Sequence, residues 1–179
     1  LKGKFRVIYA DPPWEYRNSN PHPDGSHTKA AQRYKGMSIE AICKLPVAAH
    51  SHSSAILFMW VTSPLLYQNP GPREVMEAWG FEYKSSRVWD KVLGNPGSYA
   101  SHVRHEFLLI GVRGSCLPDV ATPQADSVET IRRGDEHSAK PEEFRKWIEK
   151  HWTRGPYLEL FGRKRVKGWT VFGNDARLW

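Results

Sequence analysis

The order of apolar runs and helical periods in this 179-residue chain predicts an α/β fold with a mostly parallel sheet. Three observations carry the prediction. The runs FRVIYA (5–10) and AILFMWV (55–61) are apolar almost throughout, as in strands buried on both faces. In 141–152, Phe144, Trp147, Ile148 and Trp152 recur at helical spacing. Strands and helices then alternate through most of the chain, the pattern of helices packed on a parallel sheet.

The elements follow in order. The first strand stops at Asp11-Pro12-Pro13, because proline cannot continue a ladder. The stretch 14–36 is rich in Asn, Pro, Gly, Ser and His and has no period; a loop of that length in a compact domain is functional or mobile. Ser38 opens a short helix with Ile39, Ile42 and Leu45 apolar, and Pro46 follows it. After the run at 55–61, the segment 72–79 reads as a helix with Pro72 in its first turn and Gly80 past its end. Two strands are expected at 81–91 and 107–112, then an irregular stretch at 113–126. The helix at 141–152 opens on Glu142 and Glu143 and carries Lys146 and Lys150 toward its end, matching its dipole. Strands at 157–161 (YLELF) and 169–172 (WTVF) close the sequence, and 1–179 reads as one domain.

Composition narrows the class. Hydrophobic residues make up 40% and charged residues 25%, which excludes a chain disordered throughout. A net charge of +7 favours a polyanionic partner. No apolar stretch approaches the ~18 residues that span a bilayer, so no membrane role is expected. Cys43 and Cys116 form no CxxC pair, which points to free thiols in a reducing compartment, cytoplasmic or, in a eukaryote, nuclear. His50 and His52 lack partner ligands, so no metal is expected. The N-terminus carries no signal-peptide pattern, and Leu1 in place of Met suggests residues upstream.

Three constellations could carry chemistry. The first is Asp11-Pro12-Pro13-Trp14, at a strand's carboxyl end, where α/β sheets bind ligands. The prolines lack N–H groups, so their carbonyls can turn into a site. Asp11 can accept from an amine, and Trp14 can stack on a planar base. The exocyclic amine of adenine is a poor nucleophile because its lone pair is delocalised into the ring. Two acceptors gripping its hydrogens favour a pyramidal nitrogen able to attack an electrophilic methyl. The same four residues would also make a strand-ending turn with a buried Trp. The second is His137-Ser138-Ala139-Lys140-Pro141. A lysine at a helix start is unfavourable unless it faces an anion, although a solvated loop lysine fits too. The third is the pair YLELFGR (157–163) and WTVFGND (169–175), each with Phe-Gly at a strand end: Phe161-Gly162 and Phe172-Gly173. Glycine there permits close backbone approach by a ligand, although two hairpin or loop glycines would read the same way. Arg163, Asn174 and Asp175 add hydrogen-bonding groups. Arg163, Lys164, Arg165 and Lys167 form a basic cluster, either solvated or in contact with phosphate, with Arg104, Arg132 and Arg133 as further candidates.

Taken together, DPPW, HSxKP, LELFGR and GWxxxGN resemble the MT-A70 family, that of the messenger-RNA adenine methyltransferase catalytic subunit and its prokaryotic and phage relatives. The likeness runs from Tyr9 to Asp175. It implies a Rossmann-like methyltransferase sandwich with a permuted order, the catalytic motif first. It implies that Asp11, Pro12, Pro13 and Trp14 hold the target amine, and that S-adenosylmethionine is the cofactor. Asp11, Lys140, Phe161, Gly162, Arg163, Gly173, Asn174 and Asp175 would bind the cofactor, Lys140 through its carboxylate. Trp14, Tyr34, Trp60, Lys91 and Arg165 would face the substrate. Arg165 and Val166 depart from the messenger-RNA enzyme, and 14–36 is longer than its counterpart there. The expected activity is methyl transfer to adenine N6 in nucleic acid, DNA narrowly ahead of RNA. The expected partners are nucleic acid and either a second copy or a related subunit. The competing class is a non-catalytic nucleic-acid-binding subunit of an active methyltransferase, against which the intact DPPW stands.

Overall fold

The computed structural model describes residues 3–15, 36–96, 102–121, 125–134 and 139–173. Most of the loop expected at 14–36, with Tyr34, lies outside the described residues, as do His137, Ser138, Asn174 and Asp175.

The elements are β1 (Phe5–Ala10), α1 (Ile39–Cys43), α2 (Val47–His50), β2 (Ser51–Thr62), α3 (Pro72–Ala78), β3 (Glu82–Pro96), β4 (His102–Arg113), β5 (Val128–Thr130), α4 (Glu142–His151), β6 (Tyr157–Leu160) and β7 (Trp169–Phe172). One seven-stranded sheet runs β5-β3-β4-β2-β1-β6-β7. β1 pairs in parallel with β2 and β6, β6 with β7, and β3 with β5. Only β4 is reversed, antiparallel to both β2 and β3. This mixed, mostly parallel sheet with flanking helices is a Rossmann-like α/β sandwich, and its first strand lies inside the sheet between β2 and the late strand β6.

The alternation of side chains explains the continuous apolar runs. Ile8 and Ala10 of β1, with Leu57, Met59 and Val61 of β2, pack on one face with Ile39, Ile42, Val75, Met76 and Trp79. Val7 and Tyr9, with Ile56, Phe58 and Trp60, pack on the other with Phe144, Ile148 and Trp152 of α4. Both faces are covered along 7–10 and 55–61, so those positions are apolar. The aromatic side is built from edge-on contacts: Trp60 meets Phe144 at 4.9 Å and Phe58 meets Trp152 at 5.1 Å between ring centroids. Ser38 caps α1, its Oγ accepting from the Ala41 N–H at 3.2 Å.

Three readings of the sequence are corrected. β3 and β4 pair antiparallel with each other, which interrupts the alternation there. β2 begins at Ser51, four residues before its apolar run, where its polar end pairs only at the sheet's margin. β5 adds a strand beyond the stretch read as irregular; three residues with exposed ends give no period to detect. Among the described residues, no helix is long and apolar enough to cross a membrane.

The end of the sheet where β1 begins is tied by Asp119. Its carboxylate takes both Nη atoms of Arg6, on β1, at 2.8 and 2.9 Å and Nε of Arg154 at 2.9 Å. Its own N–H donates to the carbonyl of His151 at the end of α4, 2.7 Å away. Hydrogen bonds from Arg154 and Arg6 hold its carboxyl well below the usual carboxylate range, against the effect of burial. A depressed carboxyl stabilises the fold above its ordinary pKa and loses that contribution as pH falls. Asp119→Ala should therefore cost about 3 kcal/mol at neutral pH, the scale for breaking an enclosed pair. The deficit should begin to shrink below about pH 4, where the unfolded aspartate takes up a proton while the folded carboxylate stays ionised. Urea unfolding at the two pH values checks this; an equal deficit at both would show that the charge is not responsible.

Candidate functional site

β1, β2 and β6 end side by side: Ala10 pairs with Met59 and with Leu160. Asp11 makes the last contact of the ladder, its N–H donating to Leu160 O at 3.4 Å. Pro12 and Pro13 cannot donate, so the ladder stops and the chain turns away. The turn is pinned in two places. The Trp14 N–H donates to Pro12 O at 2.9 Å, and the Met37 N–H donates to Pro13 O at 2.7 Å. Gly36 fits there because any Cβ would lie 2.9 Å from the Cα of Glu15.

Asp11 anchors a chain of four charges drawn from four segments. Its Oδ2 accepts from Nζ of Lys140, 2.8 Å away, just before α4. The same ammonium lies 3.3 Å from Oε2 of Glu106 on β4. Oε1 of Glu106 pairs with Nζ of Lys91 on β3. Glu106, Lys91 and Lys140 are nearly enclosed, their side chains 12%, 15% and 12% exposed, whereas Asp11 keeps 32% open. Two carboxylates against two ammoniums balance, which is how charges survive enclosure.

Each group titrates accordingly. Burial raises the Asp11 carboxyl above the ordinary aspartate value, and Lys140 opposes this only in part. Burial also works to raise Glu106, but Lys140 and Lys91 outweigh it and hold Glu106 low. Lys140 is raised, since its two carboxylates overcome the cost of its own burial. The ring of Trp60 lies 5.6 Å from the Lys140 ammonium and forms the floor beneath it.

Three expected roles do not match the packing. Trp14 is 8% exposed, and its indole N–H donates to Trp60 O at 2.9 Å. Trp60 is 1% exposed, and its indole N–H donates to the Tyr9 hydroxyl at 2.7 Å. Both rings bind the end of β1 to the core, so neither offers a face on which a base could stack. Lys91, expected toward substrate, instead balances Glu106.

The two Phe-Gly pairs meet at the ends of neighbouring strands. A Cβ on Gly173 would lie 2.3 Å from the Gly162 carbonyl oxygen, and one on Gly162 would lie 2.5 Å from Val171. Each glycine thus admits the neighbouring strand end. Phe161 takes a φ of 64°, a strained value for an aromatic residue, and its N–H donates to Phe172 O at 2.5 Å. The kink brings the next residues round toward β1: Arg163, exposed, is near enough to act electrostatically on Asp11. Arg165 is exposed on the same β6–β7 connection. Arg145 of α4 pairs with the enclosed Glu159 of β6 at 3.0 Å, and burial raises that carboxyl.

The structure therefore gathers Asp11, Pro12, Pro13, Lys91, Lys140 and Arg163, and it adds Glu106, which motif reading does not single out. The available signal was an acidic residue directly abutting the apolar run FLLIGV. Among the described residues, no group of His, Cys, Asp and Glu could hold a metal ion.

Known proteins share this chain's sequence along nearly its whole length. The Type II methyltransferase M.MunI of a Mycoplasma species is 32% identical, over 95% of this chain and 77% of that protein. The N(6)-adenosine-methyltransferase catalytic subunit METTL3 of Homo sapiens is 28% identical, over 98% of this chain and 29% of its own length. A probable N(6)-adenosine-methyltransferase MT-A70-like protein of rice is 27% identical, over 98% of this chain and 23% of its own. The chain thus spans most of the first relative and under a third of the other two. The MT-A70 family model matches residues 5–175, and the chain belongs to that family.

Proposed function

We propose that this chain transfers a methyl group from S-adenosylmethionine to the N6 amine of adenine in nucleic acid, with DNA preferred to RNA, and that it acts as one catalytic domain. The observation that carries the reading is Asp11. A carboxylate stands at the carboxyl end of an interior strand, one oxygen fixed by Lys140 and about a third of its side chain open. The preference for DNA rests on the higher identity to a Type II methyltransferase.

The residues suit the cofactor's amino-acid end. An ammonium (Lys140) and a carboxylate (Asp11) stand side by side, the complement of a zwitterion. Lys140 would take the carboxylate, and the strand ends at Gly162 and Gly173, with Arg163, Asn174 and Asp175, the nucleoside. When bound, the cofactor supplies the methyl as an electrophilic carbon on a sulfonium sulfur.

The chain's own part is to grip the amine. The Asp11 carboxylate accepts one N–H. The Pro12 carbonyl accepts the other through its second lone pair, the first being taken by Trp14. Both acceptors bind more tightly as positive charge grows on nitrogen, so they act on the transition state more than on the bound substrate. The spare proton leaves along the open side of Asp11 to water. A paired adenine must leave its stack to reach this depth.

Asp11→Asn should lower single-turnover methylation at least about a hundredfold, roughly 2.7 kcal/mol of barrier. Mass spectrometry of nucleosides from treated DNA and RNA gives the readout and the preferred polymer. A near wild-type rate at saturation would remove Asp11 from the mechanism. Because burial raises Asp11, the acceptor is protonated at a higher pH than a free aspartate, so the acid limb of the rate should lie above the ordinary value of 3.8. Lys140→Ala removes the opposing charge and should move that limb further up. It should also weaken cofactor binding about tenfold or more by titration calorimetry. A limb that stays in place would deny the coupling of Lys140 to Asp11.

A further inference from the structure

Beside the site, β3 carries a bulge that neither the fold nor the charge chain accounts for. Asp90 pairs with His105 and Asn95 with Val103, so the four residues 91–94 stand opposite the single Arg104. The bulge is held at both ends. Asp90 Oδ1 accepts from the Val92 N–H at 3.0 Å, while its Oδ2 pairs with Arg104 at 2.9 Å. Gly94 lies close on β4, where a Cβ would be 3.0 Å from that of Arg104. The excess chain between these anchors is thrown outward. Val92 sits at φ 69°, which a β-branched residue adopts only under constraint. Val92 is 42% and Leu93 61% exposed. Two apolar side chains are therefore held toward solvent by a strained backbone, one and two residues beyond Lys91, which reaches the charge chain of the site.

The surroundings of the pair are basic. Arg104 is more than half exposed. The segment after β5 runs along the same strand end, Ile131 N–H donating to Asp90 O and Arg133 N–H to Lys91 O, and both Arg132 and Arg133 are exposed. Exposed apolar residues ringed by arginines, at the mouth of a site that needs its base unpaired, match one partner chemistry: a DNA duplex, phosphates on the arginines and stacked bases against the apolar pair.

We propose that Val92 and Leu93 are a wedge that enters the duplex beside the target adenine and holds the stack open while the base lies at Asp11. This rests on the methyl-transfer reading above. The strain at Val92 then fixes the wedge rigidly outward, so that less order is lost on binding.

The test uses Leu93→Ala and Val92→Gly on three DNAs: a duplex carrying a site the wild-type chain methylates, the same duplex with the target adenine mismatched, and the single strand. Both variants should lose about tenfold or more on the paired duplex and recover to near wild-type rates on the other two, where opening is already done. Melting temperature should hold or rise for Val92→Gly, since glycine takes that φ without strain. No loss on the duplex, or an equal loss on all three DNAs, would overturn the wedge. So would a wild-type chain that methylates single strands and not the duplex, with the methyl-transfer reading left standing. A wild-type chain that methylates none of them, and no RNA, overturns both.

Discussion

Covering both faces of β1 and β2 with apolar packing is the constraint on which the rest depends. Polar chemistry cannot interrupt the runs 7–10 and 55–61 without stranding a group in the core. It is confined to the point where the ladder stops, and two prolines set that point within one residue of Ala10. Asp11 is the first position past the apolar end of β1, and it sits at the margin, about a third of its side chain open. Its raised carboxyl follows from that position, as does its openness to a ligand.

Enclosure then dictates the company Asp11 keeps. A lone carboxylate at that depth would protonate; a lone lysine would shed its proton. The chain answers with an alternating row, Asp11, Lys140, Glu106, Lys91, in which each inner member serves two neighbours. Lys140 is shared between two anions within the chain, and on the proposed reading the cofactor's carboxylate would share it too. Glu106 lets it do so: with Glu106 still in place, Lys140 can turn toward a ligand without becoming an uncompensated buried cation. The same logic explains Trp60, whose ring gives the ammonium a polarisable floor.

The reversed strand is the topological device behind this row. β4 alone among these strands runs the other way, so Glu106, early in β4, comes level with Thr62 at the end of β2 and with Trp89 of β3. The β3–β4 hairpin has its bulge at the same edge. A parallel strand in that place would have carried its early residues to the far end, beside Asp119, and the site would have lacked its second carboxylate. One reversal supplies both the central anion and the projecting apolar pair.

The sequence by itself determined the interior strands, the amphipathic α4 and the turn at Asp11, because each is written in local period or in the backbone limits of proline. The family motifs likewise named Asp11, Lys140, Gly162 and Gly173, since close approach and charge at strand ends need those residue types. What only the tertiary structure decided were the relations between distant segments. Trp14 and Trp60 read as aromatic platforms, yet their indole N–H groups are spent on core carbonyl and hydroxyl partners, and burial closes their faces. Gly162 and Gly173 read as space for a ligand, yet part of that space is taken by each other's strand. Glu106 stands outside the three constellations, and its place beside two lysines follows from the direction of β4, which short-range periodicity cannot encode. Period reports which faces are buried; it carries no information on which way a strand runs or which charge waits at its end.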